Sequence, residues 1–180
     1  MCSTYLIIGC SALIVYIALM VSAMLTDKEW KFGKNYISDL GVSKRPSTRY
    51  MFNGGCIVCG IVFALCMIGV IVSSEPTLPE YVMLILSVAL GLFLAGVGLF
   101  PEDKITPHKI AAASYFIVRF AVLITMLLLD ISNQQFILAA VTVVAIAVAL
   151  ICAKMLPFPT TEVIWVSLLG VVLLHYIVMI

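Results

Sequence analysis

Six apolar runs govern what this chain can fold into. They fall at roughly 5–25, 51–73, 81–100, 109–129, 136–156 and 162–180, each near the ~20 residues that an α-helix needs to cross a bilayer. Backbone N–H and C=O groups in lipid must be satisfied inside the segment, so a continuous run of this length crosses as a helix. The runs are apolar throughout rather than alternating, which argues against a β-barrel. Hydrophobic residues make up 64% of the 180 positions and charged residues 11%, against ~45–50% and ~25% in soluble chains. Six spans use roughly 120–126 residues, which excludes a separate water-soluble domain, a soluble enzyme with a tail anchor and a disordered regulatory arm. Ten Lys and Arg against nine Asp and Glu form no broad basic face, so nucleic acid is excluded as the main partner. The expected fold class is all-α: one domain over 1–180, a polytopic membrane protein built as a six-transmembrane-helix bundle with a long first loop at 26–50.

The breaks carry turn chemistry. Pro76 and Pro79 interrupt the second break, Pro101 and Pro107 the third, and Pro157 and Pro159 the fifth, and proline cannot continue a helix interior. The fourth, Asp130 to Gln135, reads as a tight polar turn. Thr160 or Thr161 can cap the sixth helix, with Glu162 at its positive first turn. Val21-Ser22-Ala23 resembles a signal-peptide cleavage site, but no Lys or Arg precedes the run. It also exceeds the ~7–15 residues of a signal core, and is therefore read as a true span.

Orientation follows from the basic residues. Lys28, Lys31, Lys34, Lys44, Arg45, Arg49, Lys104, Lys109 and Lys154 lie on one side of the expected topology, and none lies on the other. Loop 26–50 is thereby assigned to the cytoplasm and both termini to the outside of a cell membrane. The halves share no recurring residue pattern, which disfavours an inverted-repeat transporter.

The first loop exceeds the ~2–8 residues of an ordinary helix connection. Trp30, Phe32, Tyr36, Ile37 and Leu40 give it an apolar component beside its lysines, as in a segment lying against anionic headgroups. Within it, Asn35-Tyr36-Ile37-Ser38-Asp39-Leu40-Gly41 has the residues of a compact turn, because Ser and Asp bond local backbone and Gly tolerates positive φ. The functional alternative is that this turn folds back over the bundle mouth and aims Asp39 inward.

Arg119 most needs a partner. Eleven residues beyond His108, at ~1.5 Å each, it lies about 16 Å deep in a ~30 Å core. An unpaired arginine there costs at least ~2.5–3.5 kcal/mol. Apart from Glu162 at the edge of the last run, no Asp or Glu falls inside an expected span, so its counter-charge must come from a loop or a ligand; partial snorkelling is the structural alternative. His108, Ala112, Tyr115 and Arg119 recur at four, three and four residues and share one helix face. Glu102 and Asp103 stand at the same mouth. A carboxylate–histidine set can move protons and an arginine can hold phosphate, although each residue singly also fits an ordinary cap or solvated loop.

Other motifs carry less. His108 and His175 fall at opposite membrane faces and cannot share a haem or metal, so neither metal nor cofactor is expected. Cys2, Cys10, Cys56, Cys59, Cys66 and Cys152 lie in or beside apolar runs and read as small buried hydrophobes. Gly91, Ala95 and Gly98 form a seam suited to close helix packing.

Tyr36-Ile37-Ser38-Asp39-Leu40-Gly41, followed by Pro46, Arg49, Phe52 and Asn53, resembles the Frag/DRAM/Sfk superfamily of six-helix proteins. It is more similar still to a related prokaryotic membrane family of unknown function. Gly98-Leu99-Phe100-Pro101-Glu102-Asp103 and His108-Lys109-Ile110-Ala111-Ala112-Ala113 resemble that family's further hallmarks. The resemblance implies lipid biology, including glycosylphosphatidylinositol-lipid remodelling and membrane organisation among eukaryotic relatives.

The leading expectation is a protein that binds, and in one version remodels, phospholipid headgroups at the cytoplasmic interface. His108, Asp103, Glu102, Ser38 and Asp39 are the candidate catalytic groups; Arg119, Arg49, Asn53 and Tyr115 are the candidate ligand contacts. Membrane lipids with anionic headgroups are the expected partners, alongside a membrane-protein partner or a homo-oligomer. If the chain is an enzyme, a lipid-directed transferase or hydrolase is implied. A non-enzymatic scaffold or complex subunit is the alternative, and a small transporter the third reading.

Overall fold

The apolar runs satisfy their own backbone N–H and C=O groups by folding as helices. The computed structural model describes residues 2–178, and among them it contains helices and turns but no strand. In chain order these are α1 (Cys2–Thr26), a 3-10 turn (Ser38–Val42), α2 (Pro46–Arg49), a π-helical turn (Tyr50–Gly54), α3 (Gly55–Ser73), α4 (Leu78–Leu99), α5 (Ile105–Ser132), α6 (Phe136–Met155), α7 (Phe158–Ser167) and α8 (Leu169–Val178). Pro46–Ser73 is one continuous rod. With α1, α4, α5 and α6 it makes five helices long and apolar enough to cross a membrane.

The last apolar run departs from expectation. Instead of one helix over 162–180 it forms α7 and α8, each ten residues, or about 15 Å, too short to cross alone. The break falls at Leu168, whose N–H bonds back to Ile164 while its carbonyl accepts from Val171, beside Gly170, a poor helix former. Residues 179 and 180, the end of that expected span, lie outside the described residues. The pair nevertheless runs the length of the bundle, since Glu162 bonds the first loop and His175 bonds the far end of α5.

A second correction concerns α5. It extends beyond 109–129 to Ser132, leaving only Asn133 to Gln135 as the link to α6. Gln134 adopts φ 59°, and Gln135 N–H donates to the Asp130 carbonyl at 2.7 Å, which closes the helix as a left-handed terminus does. Asp130 therefore sits within the helix, and one carboxylate does lie inside an apolar span.

The small-residue seam behaves as expected. A Cβ built on Gly60 would lie 2.5 Å from the Gly91 carbonyl, and one on Gly91 would lie 2.6 Å from the Gly60 carbonyl, so α3 and α4 pack backbone to backbone. Around this seam Leu13, Phe63, Met67, Met83, Leu84, Leu90, Leu123 and Met126 are fully buried.

The first loop covers one end of the bundle. Leu40 and Ile37 are buried plugs, and Trp30 Nε1–H donates to the Tyr36 carbonyl at 2.8 Å. Asp27 anchors the loop root, accepting from the Ser43 hydroxyl and from Glu29 N–H. These bonds, the Ser43 one foremost, hold the Asp27 carboxyl below its ordinary value.

Candidate functional site

Beneath the loop, α5 begins with a buried histidine. His108 Nδ1 lies 2.7 Å from the Phe100 carbonyl, which can only accept a hydrogen bond and so makes Nδ1 the N–H nitrogen of the neutral ring. Nε2 is left with its lone pair. This is the tautomer that a general base needs, held by the carbonyl of the residue that ends α4.

Two adjoining spaces meet at this ring. An open cleft of about 430 Å³ is lined by Tyr36, Ser38, Glu102, His108, Lys109, Ala112, Ala113, Phe116, Phe158 and Glu162. Behind it a cavity of about 30 Å³ touches Tyr16, Ser38, His108, Tyr115 and Glu162, room for a single water by size. The cleft is two-sided in character. Lys109, Tyr36 and Phe158 are exposed at its mouth, whereas Ser38, His108 and Glu162 are buried. An aromatic wall backs it, with the Phe158 and Phe116 rings 6.2 and 5.4 Å from the Trp165 ring. Trp165 is pinned by Nε1–H to the Ala149 carbonyl at 2.9 Å.

Three carboxylates converge here. Asp39 Oδ2 accepts from Tyr36 N–H at 2.9 Å and from Asn35 Nδ2 at 3.1 Å, so it organises the turn. Glu162 Oε2 accepts from Ile37 N–H at 2.8 Å. Glu102 Oε2 is buried and has no partner. Burial, then the neighbouring Asp39, push the Glu102 carboxyl above its ordinary value, with Ser38 opposing. Its unpartnered oxygen is thus available to carry a proton.

The expected residues divide between this cleft and other places. Ser38, Glu102 and His108 line it together, and Asp39 lies beside Glu102. Asp103, Arg49 and Asn53 line a different groove of about 600 Å³ across the loop, where Asn53 Nδ2 donates to the Gly41 carbonyl at 2.9 Å. Tyr115 lines the small rear cavity. Arg119, 1% exposed, lies one turn deeper, its guanidinium carbon 5.5 Å from the Tyr115 ring centre and 5.3 Å from that of Phe116. Its Nε and Nη1 have no hydrogen-bond partner, and among the described residues it forms no ion pair.

Sequence reasoning missed Glu162, which read as a helix-start charge because its partner, the Ile37 amide, is 125 positions away. Phe116, inside the fourth apolar run, and Phe158, between Pro157 and Pro159, carry no local mark of a site. The signal available was the stripe itself, since Phe116 follows Ala112 by four residues.

The family described as "Protein of unknown function (DUF998)" matches residues 10–180, and the chain belongs to it. No curated protein and no solved structure matches.

Proposed function

We propose that this member of the DUF998 family is a multi-pass protein of the cell membrane that binds a phospholipid headgroup in the cleft beneath its first loop. The observation that carries the reading is a buried histidine with Nδ1 tied to a carbonyl, opening on a cleft that is polar at depth and aromatic at its rim. A lipid offers that distribution of chemistry: polar groups for Ser38, Glu102 and Glu162, and chain-proximal carbons for Ala112, Ala113, Phe116 and Phe158. Lys109 at the mouth suits the phosphate. Arg119, below Tyr115 and Phe116, adds positive potential under the site. Asp103, Arg49 and Asn53 form the neighbouring groove, which extends the headgroup surface around the loop.

In the remodelling version of this reading His108 Nε2 is the acid–base group, with Ser38 the hydroxyl and Glu102 the second proton carrier. In the topology that goes with it, α7 and α8 in series make a sixth crossing. The nine-to-none distribution of basic residues then sets the first loop in the cytoplasm.

The test is native mass spectrometry of the purified protein with its co-extracted lipid. Parent protein retains phospholipid, whereas His108→Ala and Glu102→Gln lose most of it while remaining folded by circular dichroism. Equal occupancy in parent and both folded variants rejects the site.

A further inference from the structure

At the end of the bundle away from the first loop, a second histidine is held as tightly as the first but by different groups. His175 Nε2 lies 2.7 Å from Asp130 Oδ2 and 3.1 Å from Thr142 Oγ1, and Nδ1 lies 2.8 Å from the Val171 carbonyl. All three side chains are buried: His175 is 4% exposed, Asp130 6% and Thr142 0%.

The hydrogens of this unit can be counted. A carbonyl only accepts, so Nδ1 carries a proton toward Val171. The Thr142 hydroxyl donates its single proton to the Leu138 carbonyl at 3.1 Å. Its oxygen can then only accept from His175, which requires a proton on Nε2 as well. That same Nε2–H points at Asp130. The arrangement is satisfied throughout when His175 is an imidazolium and Asp130 a carboxylate, a neutral pair overall. Removing the proton leaves a lone carboxylate in an apolar surround, the costly alternative.

A cavity of about 100 Å³ reaches this pair, lined by Glu80, Met83, Met126, Leu129, Asp130, Asn133, Gln135, Leu138 and His175. Asn133 and Gln135 are exposed at its rim. Glu80, on α4, is the other ionisable wall group, and its Oε2 is occupied by Thr77 N–H and hydroxyl. Around the pair α6 contributes Thr142 and Leu138, and α8 contributes Val171. Helices α1 and α3 contain no Asp, Glu, Lys, Arg or His. Toward the loop end, Val122, Leu123 and Met126 are buried to 1% exposure or less and separate the pair from Arg119.

We propose that Asp130 and His175 form a proton-binding site inside the helical bundle, loaded with one proton and open to water at the end opposite the first loop. The proton is held at His175 Nε2 against Asp130 Oδ2. On release it passes to water in the cavity, leaving neutral imidazole beside the carboxylate. Thr142 acts as a positioning residue that fixes the ring. The site is independent of the headgroup cleft and stands whether or not lipid binds there.

The chain has two histidines, so the test is direct. Full-length protein with nitrogen-15 in its histidine rings is studied in lipid nanodiscs, with His108→Gln used to assign the two rings. At neutral pH His175 is expected to show two ring N–H signals, both typical of imidazolium, with exchange to water. Asp130→Asn, which keeps the side-chain shape and removes the charge, is expected to convert His175 to a neutral ring with one N–H. Thr142→Val is expected to retain the imidazolium but broaden its signals. A neutral His175 in the parent, or an imidazolium unchanged in Asp130→Asn, overturns the assignment. Imidazolium signals without water exchange overturn the open access.

Discussion

The Ile37 amide donates to Glu162 Oε2 at 2.8 Å, joining the loop after the first helix to α7 near its start. This one bond closes the lid over the cleft, because Ile37 is buried under it and Ser38 follows directly into the cleft wall. A bond from a backbone amide to a carboxylate contributes about 1.5–3 kcal/mol when buried.

Removing that acceptor should free the lid without unfolding the bundle. Glu162→Ala is expected to raise hydrogen exchange at the Ile37 amide by roughly ten- to a hundredfold, the range that such an energy gives. Glu162→Gln, whose carbonyl still accepts, should remain near the parent. Equal protection of Ile37 in all three proteins would show that the lid is held elsewhere.

Two carboxyls, Asp27 at the root of the lid and Glu102 in the cleft beneath it, have folded values that move in opposite directions. Asp27 is held low by the Ser43 hydroxyl, so its contribution is present above its unfolded value and is lost as pH falls through the folded one. Glu102 is pushed up, chiefly by burial, so the protonated lid is favoured at low pH and loses that contribution as pH rises through the raised value. Tryptic cleavage at the exposed Lys28, Lys31 and Lys34, which needs the loop backbone to open locally, is the expected readout of lid opening. Measured by pulses at each pH on pre-equilibrated protein and corrected for trypsin's own activity, it should be slowest between those two limits. Asp27→Asn should flatten the acid limb and Glu102→Gln the other.

The division between what was legible and what was not has a physical basis. Helix positions follow from apolar length and proline punctuation, which are local, so the five long apolar helices read directly from the chain. The π-helical turn at Tyr50–Gly54 and the break at Leu168 depend on tertiary packing and left no comparable local mark. His108 and Glu102 were legible as a pair because the Phe100–His108 stretch is short and the histidine lies in the first turn of a helix, whereas Ser38 entered through the serine–aspartate turn of the first loop. Asp130 was not. Asp130 to Gln135 reads as turn chemistry, although Asp130 lies eleven residues beyond Arg119, about 20° away around an ideal helix. Continuing the His108–Tyr115–Arg119 stripe through Val122 and Met126 reaches it.

The seam between α3 and α4 predicts a steep steric response. A Cβ on Gly91 meets the Gly60 carbonyl at 2.6 Å and Ala64 N at 2.9 Å, both backbone atoms that cannot swing aside. Gly91→Val should therefore separate the helices and lower stability by about 1–3 kcal/mol or more, read as a loss in melting temperature. Gly54→Ala, where a Cβ would meet nothing within 4 Å, is the matched control and should melt within a degree or two of the parent. Similar melting of parent and Gly91→Val would mean that the seam adjusts at little cost.

Arg119 separates stability from function most sharply. Its guanidinium lies against both the Tyr115 and the Phe116 rings, and cation–π contact returns about 2 kcal/mol when desolvated. That does not offset two unpartnered N–H groups and a charge with no described counter-ion. Replacing buried ionic groups with apolar ones of similar volume is often neutral or stabilising by about 1–4 kcal/mol. Arg119→Met should accordingly melt at or above the parent temperature. If the buried charge supplies potential to the cleft, the same variant should retain less co-purified phospholipid in native mass spectra. A structural arginine behaves in the reverse way: the variant melts well below the parent, and lipid falls only in proportion to unfolded protein. Melting and occupancy measured on one preparation distinguish the two, and a clear loss of melting temperature would remove Arg119 from the functional site.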